Sequence, residues 1–489
     1  MKPTADRAEA SPTKQFFVSM LTRDIKLEDA ILDLIDNCLD GALRLGNGGK
    51  PDYSRYLVKI TLAKDHFSIE DNCGGIPREV AKNYAFKMGR DPNDNRDSDT
   101  ETIGMYGVGM KRAIFKMGRN AIVKTRHDKD GNQDTYEVPI TAAWLDATNW
   151  DPLPINEPTE AKEKLKAPGT TIYVTDLNEG VARHFANPAF VNEVTTAISQ
   201  HFTMFLQWGF KIEINGESVK PVHVEVLVSP REDGPAPYVF RKTSGDVTVS
   251  ITVGLNTSRR AEGDDNEDDA DFEGQRASAT AGWTVLCNDR AVIVGDKSRL
   301  TGWGDLPLVP LYHPQFAVIT GIIEFRATDA KKLPVTTTKR ALDASSELWL
   351  ESLVKMKEGM RVWISYTNDW KNHPRSDQQS YWQDAQPLPL SKAIDAVAAR
   401  KTAKKSSAID EAGDDVDVVE FNPKKNNVLP KPEEKKPSSK RIVFSRPVEE
   451  VRAVSKMLFD DPDVNAGTVG DECFKIQLEL AKPSKKRRS

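Results

Sequence analysis

The stretch Ile103 to Ala113, IGMYGVGMKRA, sets three glycines ahead of a lysine where the pattern predicts a helix to start. Glycine lets main-chain N–H groups approach an anion closely, and a helix N-terminus adds unpaired donors and a favourable dipole. Gly104, Gly107 and Gly109 before Lys111 therefore suit a polyphosphate. The order Gly-x-x-Gly-x-Gly is neither the dinucleotide fingerprint nor the Walker phosphate loop, because Lys111 does not directly follow the last glycine and no Ser or Thr comes after it. A glycine turn packed against a helix has the same composition, so neighbouring segments must decide between the two.

The chain around this stretch is 489 residues long, enough for two or three domains. No apolar run approaches the roughly 20 residues a membrane helix needs, and the start MKPTADRAEASPTKQ lacks a signal peptide's apolar stretch, so the expected location is cytoplasmic with no membrane contact. Cys38, Cys73, Cys287 and Cys473 are scattered without a C-x-x-C pair, which argues against a disulfide framework or a zinc site. A net charge of -5 leaves any nucleic-acid contact to a local patch.

Up to about Gly209, helical and strand patterns alternate. LEDAILDLIDNCLDGALRLG places Leu27, Ile31, Leu34, Ile35, Cys38 and Leu39 on one helical face, and YLVKITLAKDHFSIED reads as two short strands around a Lys64-Asp65 turn. GTTIYVTDL is a β-branched strand, and FVNEVTTAISQHFTMFLQWG an amphipathic helix. This defines an α/β domain over 14–209. Strands dominate from Phe210 to about residue 345, interrupted by EGDDNEDDADFEG, an acidic loop without the ligand spacing of a calcium site. The helical segment 346–385 carries Trp349, Leu353, Met356, Met360 and Trp363 in a stripe expected to pack on its own domain. Residues 386–440 have the composition of a disordered linker, and 441–482 read as a small tethered module, with RIVFSRP a strand followed by two helices, ahead of the basic end KPSKKRRS.

Three further segments carry chemistry. DLIDNCLDGA sets Asp33 and Asn37 one turn apart on a helix face, a carboxylate beside a carboxamide that could position a water and a hard cation. In IEDNCGGIP a strand runs into a Gly-Gly turn, where Asp71 could accept from an exocyclic amine while Gly75 lets a flat base lie against the backbone. PGTTIYV supplies Gly169 and Thr170 at a strand start.

Together with IGMYGVGMKRA, these pieces, in this order, resemble the GHKL ATPase superfamily of gyrase-type topoisomerases, the large heat-shock chaperone, histidine kinases, MutL and the MORC proteins. The resemblance spans roughly residues 14 to 345 and is strongest to the MORC and MutL groups. It implies a Bergerat α/β sandwich followed by a ribosomal-protein-like α+β transducer domain over 210–345. It also implies binding of ATP with Mg2+, ATP hydrolysis, and a homodimer formed on ATP binding, with a DNA or protein partner reached through the transducer or the C-terminal module. Nucleic-acid-related and defence processes are among the outputs of such a switch.

By the same resemblance Asn37 is the magnesium ligand, Asp71 reads adenine with Thr170 assisting through water, and Gly75 lies beneath the base. Gly104, Gly107 and Gly109 surround the phosphates with Lys111 as an added positive contact, and 87–102 form the lid. In the second domain, VLCNDRAVIVGD resembles the Asn-Arg strand of the MutL and MORC transducers. KLPVTTTKRALD resembles the loop whose lysine reaches the γ-phosphate, here Lys339 with Arg340 as fallback. Phe16 and Phe17 precede the first long helix, where similar ATPases carry a strap that packs across the dimer. Two residues depart from the pattern: the general-base position holds Asp33 instead of glutamate, and Cys73 replaces the first glycine of the turn. The first leaves a non-hydrolysing ATP-sensing scaffold as an alternative, and a chaperone-like ATPase is the other.

Overall fold

The apolar rhythm between Leu27 and Leu45 becomes a 19-residue helix. The structure, a computed structural model, describes residues 12–46, 49–91, 101–104, 107–129, 132–158, 165–256, 281–336, 339, 341–374, 377, 378, 380–409, 415–432 and 442–481. The chain divides into a unit over Met1–Pro432 and a second over Glu433–Ser489. Lid residues 92–100, Arg340, the acidic insert 262–274 and the basic end 482–489 lie outside the described residues.

The large unit opens with α1 (Lys14–Arg23) and α2 (Leu27–Leu45). Strands β1 (Leu57–Leu62) and β2 (Phe67–Asp71) pair antiparallel across the expected Lys64-Asp65 turn. The short helix α3 (Arg78–Val80) follows, then α4 (Gly109–Met117), whose first residue is the last glycine of the lid stretch. Next come β3 (Gly118–Lys129), β4 (Asn132–Ile140), α5 (Ala142–Asp146), β5 (Gly169–Leu177), α6 (Glu179–Phe185), α7 (Pro188–His201) and α8 (Thr203–Gln207). Strands β6 (Lys211–Ile214) and β7 (Glu217–Ser218) complete a seven-stranded mixed sheet, β4-β3-β5-β2-β1-β6-β7. The segment FKIEING, read from sequence as the start of the second domain, thus belongs to the first sheet, because β6 pairs parallel with β1. One core holds buried residues of α2, α4 and α7 together with those of β1 through β6. This is the mixed α/β sandwich expected of the segment.

The second sheet collects β9 (Tyr238–Ser244), β10 (Val247–Leu255), β11 (Gly282–Cys287), β12 (Arg290–Asp296), β13 (Ile319–Arg326), β15 (Lys404–Ile409) and β16 (Asp415–Phe421), in the order β12-β11-β13-β10-β9-β16-β15. Beside it β8 (Glu225–Val228) pairs with β14 (Gln386–Pro389). Helix α9 (Glu347–Asp369) lies on β10, and Trp349, Met356, Met360 and Trp363 are buried in the core of this sheet, as the stripe required. Gly359 permits the close approach: a Cβ there would sit 2.6 Å from Val253 Cγ2.

Residues 386–432 correct the expectation of a disordered linker. They form β14, α10 (Leu390–Ala398), β15 and β16, and Leu390, Ala393, Ile394, Val397 and Phe421 are buried. Counting Lys and Asp misled here because the charges lie on the solvent side of an amphipathic helix and an edge hairpin, whose outer strand β15 is exposed throughout. In the small unit, α11 (Val448–Phe459) and α12 (Ala466–Ala481) are helical as expected, but 442–447 form no strand. Ile442, Val443 and Phe444 are exposed there, and an apolar run of this length does not hold a strand in water without a partner to pair with. Among the described residues no helix is long and apolar enough to cross a membrane.

Candidate functional site

Helix α2 buries three carboxylates, Asp33, Asp36 and Asp40, which is costly unless each is paired. Each has partners from a different part of the chain. Asp33 Oδ2 accepts from Arg112 Nε at 2.7 Å and Nη2 at 2.6 Å. Asp36 Oδ1 accepts from Arg290 Nε at 2.7 Å, and its Oδ2 from Lys339 Nζ at 2.9 Å. Asp40 accepts from the main-chain N–H of Ile103 at 2.7 Å and of Gly104 at 2.9 Å. Asn37, between them, is exposed. Burial pushes the Asp36 carboxyl up, but Arg290 and then Lys339 outweigh it and hold the group below the ordinary carboxylate range.

A cleft beside α2 is walled by Asp33, Asn37, Asp71, Gly75, Gly104, Gly107, Gly109, Lys111, Thr170 and Lys339. The structure therefore brings together ten of the eleven site residues expected from sequence. Gly169 is the exception. It does not line the cleft but packs on the main chain, where a Cβ would fall 1.9 Å from the Asp71 carbonyl oxygen.

At the Asp71 end, β2 delivers the carboxylate and the turn wraps it. Oδ1 accepts from the Cys73 N–H at 2.7 Å and Oδ2 from the Cys38 thiol at 3.5 Å. Burial raises the Asp71 pKa to about 6. The Cys73 substitution is absorbed because the two residues after it are glycines with positive φ, Gly74 at 96° and Gly75 at 70°. Gly75 is required on space as well, since a Cβ would lie 1.9 Å from Arg126 O. Thr125, which sequence reasoning missed, ties the wall together. Its hydroxyl accepts from the Ile76 N–H at 2.8 Å and lies 3.1 Å from Thr170 Oγ1.

At the other end, α4 begins at Gly109, whose Cβ position would meet Asp33 at 3.5 Å. Gly107 takes φ 65°, a left-handed value suited to glycine. Lys111 does not point its charge into open space: Nζ donates to Ala85 O at 2.9 Å and to Gly107 O, tying the loop to the segment before the lid. Lys339 was expected to swing in from a separate domain. It already sits in the cleft wall on Asp36, with its carbonyl accepting from Arg290 Nη1 at 2.7 Å. The Asn-Arg strand supplies this joint, for Asn288 Nδ2 also donates to Thr102 O at 3.1 Å and to Ala327 O at 2.9 Å.

Among the described residues no group of three or more His, Cys, Asp or Glu side chains could hold a metal alone. The exposed Asn37 carboxamide nevertheless fits Mg2+ arriving with a polyphosphate, since this ion takes few protein ligands and completes its shell with phosphate oxygens and water.

Residues 25–163 match the family model described as "Histidine kinase-, DNA gyrase B-, and HSP90-like ATPase". This match covers α2, the Asp71 turn and the lid glycines, and it supports a GHKL-type, ATP-binding domain in that segment. No curated protein matches the chain.

Proposed function

We propose that the chain is a Mg-ATP-binding switch with slow hydrolysis, in which the nucleotide's γ-phosphate is reported through Lys339 to the second sheet and biases two copies toward a closed dimer. The observation that carries the reading is the Asp71 carboxylate, wrapped by the Cys73 N–H beside Gly75, in the same cleft as Asn37 and the lid glycines. An ionised carboxylate held against a glycine suits a flat base that turns an amine donor toward it, and adenine offers its N6 amine at the position where guanine places the O6 acceptor. The α4 N-terminus and the N–H groups of the glycine stretch suit the phosphates.

Mg2+, bound through Asn37 and the phosphates, would neutralise charge on the transferring group. In hydrolysis a water oxygen forms a bond to the γ-phosphorus and the bond to the β–γ bridging oxygen breaks, leaving ADP with the electron pair. The water's proton passes to Asp33. Lys339 is the residue able to distinguish ATP from ADP, because its ammonium is shared between a fixed carboxylate, Asp36, and a phosphate present only in ATP. The MORC and MutL resemblance favours this reading over a chaperone.

Light scattering of the full chain with a non-hydrolysable ATP analogue, with ADP and without nucleotide tests the switch. The mass should double with the analogue alone. An unchanged mass in all three states refutes dimerisation, and a Lys339→Ala protein that responds like wild type refutes the role of Lys339.

A further inference from the structure

The residue expected to take the water's proton is already engaged. Both Arg112 contacts fall on Asp33 Oδ2, at 2.6 and 2.7 Å, and the two side chains are 9% and 3% exposed. Neither bond uses Oδ1. Arg112 belongs to the first turn of α4, and its own N–H donates to Val108 O, so the guanidinium is anchored on the element that ends the lid. Asp33 is fixed from the other side by α2, with Gly109 against it. Arg112 and Asp33 both line the cleft.

We propose that Arg112 is a positioning residue that restrains Asp33, so that ATP turnover is limited by this ion pair and not by the short aspartate side chain. The inference rests on the reading of Asp33 as the proton acceptor. A guanidinium bound twice to one oxygen holds the carboxylate in one orientation, and both bonds must give way before Asp33 can turn. The restraint lasts until a competing anion draws Arg112 away. Each charge-assisted hydrogen bond of this kind changes an equilibrium by about 10- to 100-fold, which sets the expected size of the effect. The pair gives the chain a long-lived ATP state, which is what a switch driven by nucleotide binding requires.

The test is steady-state ATP turnover by the full chain, with binding of a non-hydrolysable analogue measured separately. Arg112→Gln keeps an amide N–H for Oδ2 but removes the charge. It should raise kcat by about 10- to 100-fold while KM changes by less than about 10-fold, and Arg112→Lys, which keeps the charge but not the double contact, should raise it less. A folded, analogue-binding Arg112→Gln protein with kcat at or below wild type overturns the proposal, since a purely structural tie or an activating arginine gives that result. If Arg112→Gln does not fold, Arg112→Met serves, since it removes both bonds to Oδ2 and leaves the Asp33 side chain unchanged, and a kcat no higher than wild type is again contrary. Asp33→Asn separates the two readings. It should bind the analogue without turning ATP over, and persistent turnover would remove Asp33 as acceptor and the proposal with it.

Discussion

Replacing Arg290 with methionine probes the joint between the two sheets of the large unit. The arginine gives Nε to Asp36 and Nη1 to the Lys339 carbonyl, both at 2.7 Å, and the Arg290 and Asp36 side chains are 2% and 0% exposed. Methionine fills similar volume but strands Asp36 with Lys339 alone. Breaking a buried pair from one side costs about 3–5 kcal/mol, and the surviving lysine places this case near 3 kcal/mol, a large part of a stability of about 5–15 kcal/mol. Denaturant unfolding of the full chain, followed by tryptophan fluorescence, should show the loss as a lower midpoint. The double variant Asp36→Leu with Arg290→Met should lose at least about 1.5 kcal/mol less than the sum of the single losses. The pH dependence follows from the lowered Asp36 pKa: the contribution is present above the ordinary value of 3.8 and is lost as the pH falls below it. Wild type and Arg290→Met should therefore converge in acid. A single-variant loss below about 1 kcal/mol, or strict additivity, refutes the reasoning.

Two other consequences concern the cleft. Asp71, raised to about 6 by burial, must be ionised to accept an amine, so affinity for adenosine, which has no phosphate to titrate, should fall about tenfold per pH unit below 6. Without ligand the raised pKa acts the other way on folding: its stabilisation is full below the ordinary value of 3.8 and is lost as the pH rises through about 6. Melting temperatures of wild type and Asp71→Asn should thus diverge between these limits, and parallel curves count against the assignment. Asp40→Ala strands the N–H groups of Ile103 and Gly104, at a cost of about 1–3 kcal/mol, and should speed hydrogen exchange in that segment. Unchanged exchange would mean that Asp40 does not anchor the lid.

What the sequence disclosed is what local pattern can carry. The apolar face of α2, the hairpin at Lys64-Asp65, the β-branched run of β5 and the Gly-Gly turn at Gly74 and Gly75 are each determined within a few residues, and all were readable. The pairs that make the site work are not local: Arg112, Arg290 and Lys339 meet α2 across 79, 254 and 303 residues, and no spacing rule connects them. Asp36 therefore gave no local sign of its role, since its partners Arg290 and Lys339 lie far along the chain. The segment 386–432 failed for a related reason. Its few apolar residues are enough because the second sheet already offers an edge strand, β9, for β16 to join.

The central claim is that the Asp71 cleft binds ATP by its adenine. Calorimetric titration of the full chain with Mg-ATP and with Mg-GTP, repeated on Asp71→Asn, tests it most directly. One ATP should bind per chain, GTP should bind at least about 100-fold more weakly, and Asp71→Asn should lose the ATP signal while remaining folded. Equal affinity for the two nucleotides, or an Asp71→Asn protein that binds ATP as wild type does, would contradict the account.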